Sequence, residues 1–328
     1  MSIHVIGVLL VVRIGLIGYK NHAARLRSII DKKKDSKIIK IYHPNKNTND
    51  EKFTNDITEL FDSDAIIIAS PNNTHVNYIK KLVNNFNGYI FCEKPPAMNK
   101  IELKYLKNIS INKKNKIFFN FNFRFSKMNK IIQQNLNTKT LGKIIKIDIN
   151  ASQGLAFKKE YLKSWRANGK TNLHNIIETV AIHYLDLLNL HYNVDKVEYH
   201  PLKISKNGSS YDTSHLIITI KNDIIATIFN SYATPLLNEI KVIGTNGYLS
   251  TSKNYFEIYS PRNTFDSKKF FISPPLKKRL RFNFKENYDE SLKKSIEFFV
   301  SNVKKNNKID LKYYKASIKT NEQILNLN

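Results

Sequence analysis

Short apolar strands alternate with helices over the first 125 residues, and this alternation constrains the fold more than any other feature of the chain. Val11–Ile17, Lys37–Tyr42 and Ala65–Ala69 are predicted strands, and Ala65–Ala69 contains no polar residue. Uninterrupted apolar strands are expected where helices cover both faces of a parallel sheet. The predicted helices from His22 to Lys33 and from Thr74 to Asn85 provide such cover. The N-terminal part is therefore predicted to be a doubly wound α/β domain with a parallel sheet.

Beyond about residue 125 the predicted strands follow one another closely, with hairpin turns such as Asn222-Asp223 between them. One long helix, from about Asn172 to Leu190, interrupts this series. The chain closes with two helical stretches, near Tyr288–Lys304 and Leu311–Asn326. This pattern is typical of an α+β domain with an open, mostly antiparallel sheet. We predict domains at residues 1–123 and 124–328, with the last two helices free to pack back on the first domain.

The first strand leads into the turn Gly18-Tyr19-Lys20-Asn21-His22-Ala23. A Rossmann-type turn takes Gly at the tight bend, Gly where the backbone nears the pyrophosphate, and a small residue where helix and strand pack. Gly18 and Ala23 fill the first and third places, whereas Lys20 fills the second and obstructs close approach of the backbone. By itself the turn is compatible with a dinucleotide site and equally with an ordinary strand-to-helix connection.

The end of the second strand bears on the choice of cofactor. An acidic residue about 20 residues beyond the glycine turn normally binds the ribose 2′-hydroxyl of NAD. Here Tyr42 is followed by His43-Pro44-Asn45-Lys46, which contains no carboxylate. His43, Lys46 and Lys20 would tolerate a 2′-phosphate. The predicted cofactor is therefore NAD or NADP, with NADP tolerated.

Two further segments follow predicted strands: Ala69–His75, which contains Ser70-Pro71-Asn72, and Phe91–Pro96, which contains Glu93-Lys94-Pro95. Ligands bind such sheets at the carboxyl ends of the strands. With this ordered set the sequence resembles the Gfo/Idh/MocA family of sugar and cyclitol oxidoreductases, whose pattern is a glycine turn, then Pro-Asn-x-x-His, then Glu-Lys-Pro. The resemblance covers most of the chain, because Phe121–Phe125 looks like the family's crossover and Ile240–Gly247 like its late hairpin.

The resemblance implies a dehydrogenase or reductase that moves a hydride between C4 of NAD(P) and a carbinol carbon of a sugar or sugar derivative. A nucleotide-linked sugar is one candidate substrate. The resemblance further implies a homodimer or homotetramer built through the open sheet. The implied cofactor-binding residues are Gly18, Tyr19, Lys20, Asn21, His22, His43, Ser70, Pro71, Asn72, His75, Glu93, Lys94, Asn122, Trp165 and Arg166.

Lys94 is the residue that the resemblance places at the chemistry. A lysine at a strand end can hydrogen-bond the substrate hydroxyl and pass a proton as the hydride moves. By composition alone Lys94 would be one solvated lysine among many. Its position within the ordered motif set favours the catalytic interpretation instead.

The family also carries an Asp-x-x-x-His pattern, often continuing to x-x-Asp, on a helix of the second domain. His183 and Asp186 match the second half of this pattern, and Thr179 stands where the family often has a carboxylate. These three form a polar stripe at helical spacing, which in many proteins is simply the solvated face of a surface helix. With the resemblance, we predict that His183 binds the substrate or transfers its proton. Asp186 is expected to orient His183 or to make a structural contact.

Two other segments have competing interpretations. Trp165-Arg166 resembles a family pair near the cofactor, where an arginine binds pyrophosphate or an acidic sugar bidentately; a packed tryptophan beside an exposed arginine is the alternative. The stretch Lys116–Phe125 is predicted to be one strand whose phenylalanines alternate with polar residues. Burial of the phenylalanine row in the core is favoured over base stacking, which leaves Asn122 and Arg124 toward the crevice.

Composition narrows the remaining classes. The formal net charge is +26, but the lysines are spread along the chain rather than concentrated beside stacking aromatics, so no specific nucleic-acid partner is predicted. The lone Cys92 suits a reducing compartment, and we expect a cytoplasmic protein. Residues 1–11 are too short for a membrane span and lack a signal-peptide pattern, so they are interpreted as an extension before the first strand.

No metal site and no serine or cysteine nucleophile is predicted, because the sequence shows neither spacing. Two rival functions stay open. Lys20 and Thr179 are compatible with a catalytically inactive binding or regulatory protein on the same fold. The positive charge is compatible with a basic nucleic-acid-binding protein.

Overall fold

The computed structural model describes residues 11–45, 50–136, 138–170, 174–221, 223–252 and 254–327. Most of the predicted N-terminal extension lies outside these ranges, as do Lys46, the turn residue Asn222 and the predicted helix start at Asn172. The chain divides into two compact units. The first comprises residues up to Asn122 together with Leu292–Leu325, and the second comprises Phe123–Ser291.

Among the described residues, the sheet of the first unit has six strands in the order β3-β2-β1-β4-β5-β6, and all of these pairs are parallel. The strands are β1 (Val12–Ile17), β2 (Ser36–Tyr42), β3 (Phe53–Thr54), β4 (Ala65–Ile68), β5 (Tyr89–Glu93) and β6 (Ile117–Asn120). The helices are α1 (His22–Asp31), α2 (His75–Asn85), α3 (Lys100–Asn108), α4 (Ile111–Lys114), most of α8 (Phe284–Lys304) and α9 (Leu311–Leu325). The predicted parallel doubly wound sheet is confirmed.

Burial explains why these segments form this layer. All four residues of β4 are fully buried, as expected when helices cover both faces. Helix α1 buries Ala23, Leu26 and Ile30, which share one face. The strand order reverses between β1 and β4, the switch point at which such sheets bind ligands.

The C-terminal helices complete this unit. Phe299 of α8 packs against Phe91 of β5, with ring centroids 5.3 Å apart. In α9, the buried Asn321 accepts a hydrogen bond from the Ala97 amide at 2.6 Å and donates to the Ala97 carbonyl at 3.1 Å. Helix α9 therefore fixes the chain directly after Glu93-Lys94-Pro95.

In the part of the chain that the structure describes, the sheet of the second unit has eight strands in the order β14-β13-β12-β11-β7-β10-β9-β8. Only the central pair β7–β10 is parallel among its described pairs. The strands are β7 (Ile144–Ser152), β8 (Val194–Leu202), β9 (Thr213–Ile220), β10 (Ile224–Ser231), β11 (Leu237–Gly244), β12 (Tyr248–Ser252), β13 (Tyr255–Tyr259) and β14 (Leu276–Arg281). The helices are α5 (Lys127–Asn135), α6 (Lys159–Leu162) and α7 (Ile182–His191). The predicted, mostly antiparallel sheet is confirmed.

Two local predictions were wrong. The predicted strand Lys116–Phe125 ends at Asn120, and Asn122–Phe125 form a 3₁₀ turn instead. Asn122 and Arg124, which were predicted to lie toward the crevice, are buried at 3% and 7% exposure. The predicted single long helix is also interrupted, because Ile177–Ala181 form a π-helix before α7.

Among the described residues, the structure contains no helix long and apolar enough to cross a membrane.

Candidate active site

Three connections meet at the carboxyl edge of the first sheet, because β1, β4 and β5 are neighbours in it. The turn after β1 contains Gly18, which has φ +102°. A Cβ atom on Gly18 would lie 2.6 Å from the carbonyl oxygen of Ala69, at the end of β4. Glycine is required here both by the backbone conformation and by the close approach of the two connections. The tight bend expected of a dinucleotide turn is therefore present.

Replacing Gly18 with alanine is expected to cost about 1–3 kcal/mol of stability and to weaken dinucleotide binding, because the left-handed backbone and the Ala69 contact both oppose a Cβ. Urea unfolding and a dinucleotide titration measure the two effects. Gly154→Ala is the matched control, since a Cβ there would meet nothing closer than 3.8 Å. Equal stability and equal dinucleotide affinity of the two variants would contradict the assignment of the Gly18 turn to the dinucleotide site.

The rest of this turn is aromatic and cationic. The ring of Tyr19 meets His43 edge-on at 4.8 Å and Phe53 at 5.7 Å. The Lys20 ammonium lies 5.7 Å from the centre of the Tyr19 ring, and Lys20 itself is exposed. Asn21 precedes α1 with φ 43°. Lys20 and His43 thus place cationic or titratable nitrogens around Tyr19, beside the end of β2.

His75 connects the two motif segments. It is fully buried, with Nδ1 3.0 Å from the carbonyl oxygen of Pro95 and Nε2 3.1 Å from that of Ser70. Burial lowers the pKa of His75 below its usual value, against the opposing effect of the hydrogen bonds to Pro95 and Ser70. The Ser70 hydroxyl also pairs with that of Thr74 at 2.7 Å, which closes the Pro71-Asn72 turn. His75 therefore spans the loops after β4 and β5.

Glu93, the last residue of β5, is buried at 8% exposure. Its Oε1 lies 2.8 Å from Nε2 of His22, the first residue of α1, and accepts a hydrogen bond from the Asn120 amide at 2.7 Å. Asn120 in turn accepts from the Ser295 hydroxyl at 2.6 Å. Lys94 follows Glu93, is half-buried, and exerts its electrostatic field on Glu93, His22 and His75.

In the second unit, His183 is buried at 8% exposure and stacks on Phe123 with ring centroids 4.7 Å apart. Asp186 is fully buried, and its two carboxylate oxygens accept hydrogen bonds from Arg124 at 2.7 and 2.5 Å. Thr179 donates to the carbonyl of Asn175 at 2.8 Å, and its hydroxyl is hydrogen-bonded to that of Tyr232. The stripe is consequently not the solvated face of a surface helix.

Trp165 and Arg166 lie on a 3₁₀ turn of the second unit. Trp165 is 47% exposed, and the Arg166 guanidinium lies 4.8 Å from the centre of its ring. The Arg166 carbonyl accepts a hydrogen bond from the buried Asn175 at 2.7 Å, which fixes the turn. The pair therefore presents a stacked cation on an exposed aromatic.

Two ion pairs at the candidate site were not predicted from the sequence: the partly buried His22–Glu93 and the buried Arg124–Asp186. The partners of each pair are far apart in the chain. Their opposite charges are the only feature of the sequence that could have suggested that they pair. The described residues contain no group of three or more His, Cys, Asp or Glu side chains that could hold a metal ion.

Comparison with known proteins gives matches to both units. A family model described as "Oxidoreductase family, NAD-binding Rossmann fold" matches residues 12–121, and one described as "GFO/IDH/MocA C-terminal domain" matches residues 129–250. Glucose-6-phosphate 3-dehydrogenase of Bacillus subtilis (strain 168) is 23% identical over 243 residues, which cover 67% of each chain.

Solved structures share the fold over nearly the full length. An oxidoreductase from Agrobacterium radiobacter in complex with NAD+, L-tartaric acid and magnesium has a TM-score of 0.76 at 18% identity, covering 96% of this chain and 95% of its own. A myo-inositol dehydrogenase from Corynebacterium glutamicum has a TM-score of 0.73 at 19% identity, covering 96% and 94%.

Proposed function

The chain belongs to the Gfo/Idh/MocA family of oxidoreductases, and from this we propose that it transfers a hydride between C4 of NAD or NADP and a carbinol carbon of a sugar or sugar derivative. The observation that carries the proposal is the meeting of the Gly18 turn, the Ser70-Pro71-Asn72 turn and Glu93-Lys94-Pro95 at one sheet edge. His75 joins the last two of these segments.

The residues at this edge fit a dinucleotide. At Gly18 the backbone passes so close to Ala69 that a Cβ atom would not fit. The N-terminus of α1 follows this turn, and the free amide groups of a helix N-terminus favour binding of an anion. When bound, the nicotinamide supplies or accepts the hydride. The protein's own tasks are then to orient the two reactants, to exclude water and to move one proton.

Lys94 is proposed to move that proton. In the oxidation direction its amine takes the proton of the reacting hydroxyl while the hydride leaves the same carbon, and in reduction it returns the proton. Its neighbour Glu93 contacts His22 and accepts a hydrogen bond from the buried Asn120, and these contacts hold the start of the loop. His75 is proposed to hold the loop's other side through Pro95 rather than to contact the cofactor.

His183 is proposed to bind or polarise the reacting hydroxyl, with its ring plane set by stacking on Phe123. Asp186 is proposed to anchor Arg124 rather than to react, because both of its oxygens accept hydrogen bonds from that guanidinium. Arg166, stacked on Trp165, is proposed to bind an anionic group of the cofactor or substrate.

The test of this function has two stages. Mass spectrometry of the purified protein, looking for retained NAD(H) or NADP(H), comes first. Turnover is then followed by nicotinamide absorbance on a panel of cyclitols, free sugars, sugar phosphates and nucleotide-linked sugars. The panel includes glucose 6-phosphate because a relative is named for it. Cofactor binding without turnover on any of them would favour the inactive binding protein.

The cofactor preference is a separate prediction. His43 stands near the end of β2, where an acidic residue would exclude a 2′-phosphate, and Lys20 lies beside the same Tyr19 ring. The protein is therefore expected to bind NADP at least as tightly as NAD. His43→Asp should weaken NADP binding about tenfold or more relative to NAD, since it adds a like charge beside the phosphate. Paired titrations measure both affinities, and a clear preference of the unaltered protein for NAD would contradict the prediction.

The assembly is proposed to be a homodimer or homotetramer formed through the open sheet. Exposed apolar side chains on the sheet support this, with Ile145 of β7 at 42% and Ile225 of β10 at 50% exposure. Such residues on a sheet face favour burial against a second sheet. Sedimentation velocity measures the assembly.

A further inference from the structure

The pair His22–Glu93 occupies an unusual place in this dinucleotide site. Lys20 stands where close approach of the backbone to the pyrophosphate needs glycine, so the turn lacks part of its ordinary means of holding that group. His22 is the first residue of α1, two positions beyond Lys20, and its side chain is 35% exposed. A titratable nitrogen therefore stands at the helix end that faces a bound pyrophosphate.

Glu93 is anchored in a way that keeps its charge beside His22. The Glu93 side chain is 11% exposed, and the same oxygen that contacts His22 accepts from Asn120, which is itself fixed by Ser295. A buried carboxylate needs a positive partner, because an unpaired buried charge is costly. His22 supplies that partner at 2.8 Å.

The charges facing His22 come from three places. The Glu93 carboxylate is at the end of β5, Lys94 follows it, and Arg25 lies one turn further along α1. Attraction to Glu93 raises the pKa of His22 above its usual value, and this outweighs burial and the repulsion by Arg25 and Lys94. Burial alone would raise the pKa of Glu93, but the charge and hydrogen bond of His22, together with the Asn120 hydrogen bond, hold it below its usual value.

We propose that the imidazolium of His22, held by Glu93, binds the pyrophosphate of the cofactor electrostatically and makes cofactor affinity fall as the pH rises. This inference rests on the proposed function, because it assigns a charge within the same cofactor site. The positive charge of the His22 side chain takes over the role that close approach of the turn's backbone to the pyrophosphate has in an ordinary dinucleotide turn. The sign follows from the pair: the histidine charge is present below its raised pKa and is lost as the pH rises through that value, while the pyrophosphate stays anionic.

The test compares NAD(P)H affinity between pH 6 and pH 9 in the unaltered protein, His22→Gln and His200→Gln. Glutamine keeps a hydrogen-bond donor toward Glu93 but carries no charge. The unaltered protein is expected to bind NAD(P)H about tenfold more tightly at pH 6 than at pH 9, which is the effect of about one charge-assisted hydrogen bond. His22→Gln should bind about tenfold more weakly at pH 6 and lose this pH dependence. His200 is exposed on β8 in the other unit, so His200→Gln should follow the unaltered protein.

A second readout does not depend on the cofactor. The ring proton of His22, identified by its absence in His22→Gln, is titrated by NMR in the unaltered protein and in Glu93→Gln. Its midpoint is expected above the usual histidine value of about 6.5 and should fall in Glu93→Gln. An ordinary midpoint, or cofactor affinity that is independent of pH, would overturn the inference and leave the proposed function standing. Absence of any dinucleotide binding would overturn both.

Discussion

Replacing Lys94 with alanine is expected to lower kcat by about 10²- to 10⁴-fold while leaving the fold and cofactor binding in place, because the variant removes the group that moves the proton. Lys94 is half-buried at the end of β5, and its loop is fixed independently through Glu93, His75 and Asn321. The change therefore removes chemistry without removing the loop's support. Stopped-flow or steady-state assays that follow nicotinamide absorbance measure the loss of kcat, and thermal unfolding shows whether the fold is kept.

Two companion variants make the Lys94 result specific. Lys94→Arg keeps the positive charge but cannot release its proton at working pH, so it should be impaired nearly as much as the alanine variant. Lys104→Ala removes an exposed lysine from α3 in the same unit and should leave turnover unchanged. Retained turnover in Lys94→Ala would show that the proton moves by another route.

Breaking the Arg124–Asp186 pair is expected to cost about 3–5 kcal/mol of stability, because removing one partner leaves a buried charge without compensation. Both side chains are almost completely buried, at 1% and 0% exposure. Asp186→Ala and Arg124→Ala should both show the loss in urea unfolding. The double variant Arg124→Met/Asp186→Leu should recover most of it, since a buried ion pair exchanged for apolar packing is often nearly neutral.

The same double variant separates structure from catalysis at Asp186. If Asp186 only anchors Arg124, the stable double variant should keep measurable turnover; if Asp186 takes part in proton transfer, turnover should vanish although stability returns. Glu198→Ala is the control for ion pairs in general, because the Lys196–Glu198 pair is 67% and 42% exposed. Solvent screening should make that loss small. Equal losses of stability at the Arg124–Asp186 and Lys196–Glu198 pairs would contradict the structural role given to the buried pair.

The fold could be predicted from the sequence where one physical signal dominated. The apolar run Ala65–Ile68 is typical of a strand covered on both faces, and the ordered motifs predicted Lys94 at a strand end. Alternation failed at Lys116–Phe125, since Phe119, Phe121 and Phe123 and the intervening Asn120 and Asn122 are all buried, and nothing local marks where the strand stops. The π-helix at Ile177–Ala181 left no sequence signal either.

The polar contacts of the site were harder to predict than its location. His22 and Glu93 are 71 residues apart, and Arg124 and Asp186 are 62 apart. No helical or strand periodicity relates residues at such separations, so their pairing depends on the tertiary fold. His22, Glu93 and Asp186 could be named from the sequence as candidate site residues, but the sequence could not show that His22 contacts Glu93 or that Asp186 contacts Arg124.

The hydrogen bonds between Ala97 and Asn321 have a consequence for biosynthesis. A ribosome releases the segment with Lys94 long before it releases α9, since 224 residues separate the two partners. Until α8 and α9 have been synthesised, Phe91 lacks its contact with Phe299 and the Ala97 amide lacks its hydrogen bond to Asn321. The first unit is therefore completed only late in synthesis. A gene fragment ending at Asn122 would encode this unit without Leu292–Leu325, which belong to it.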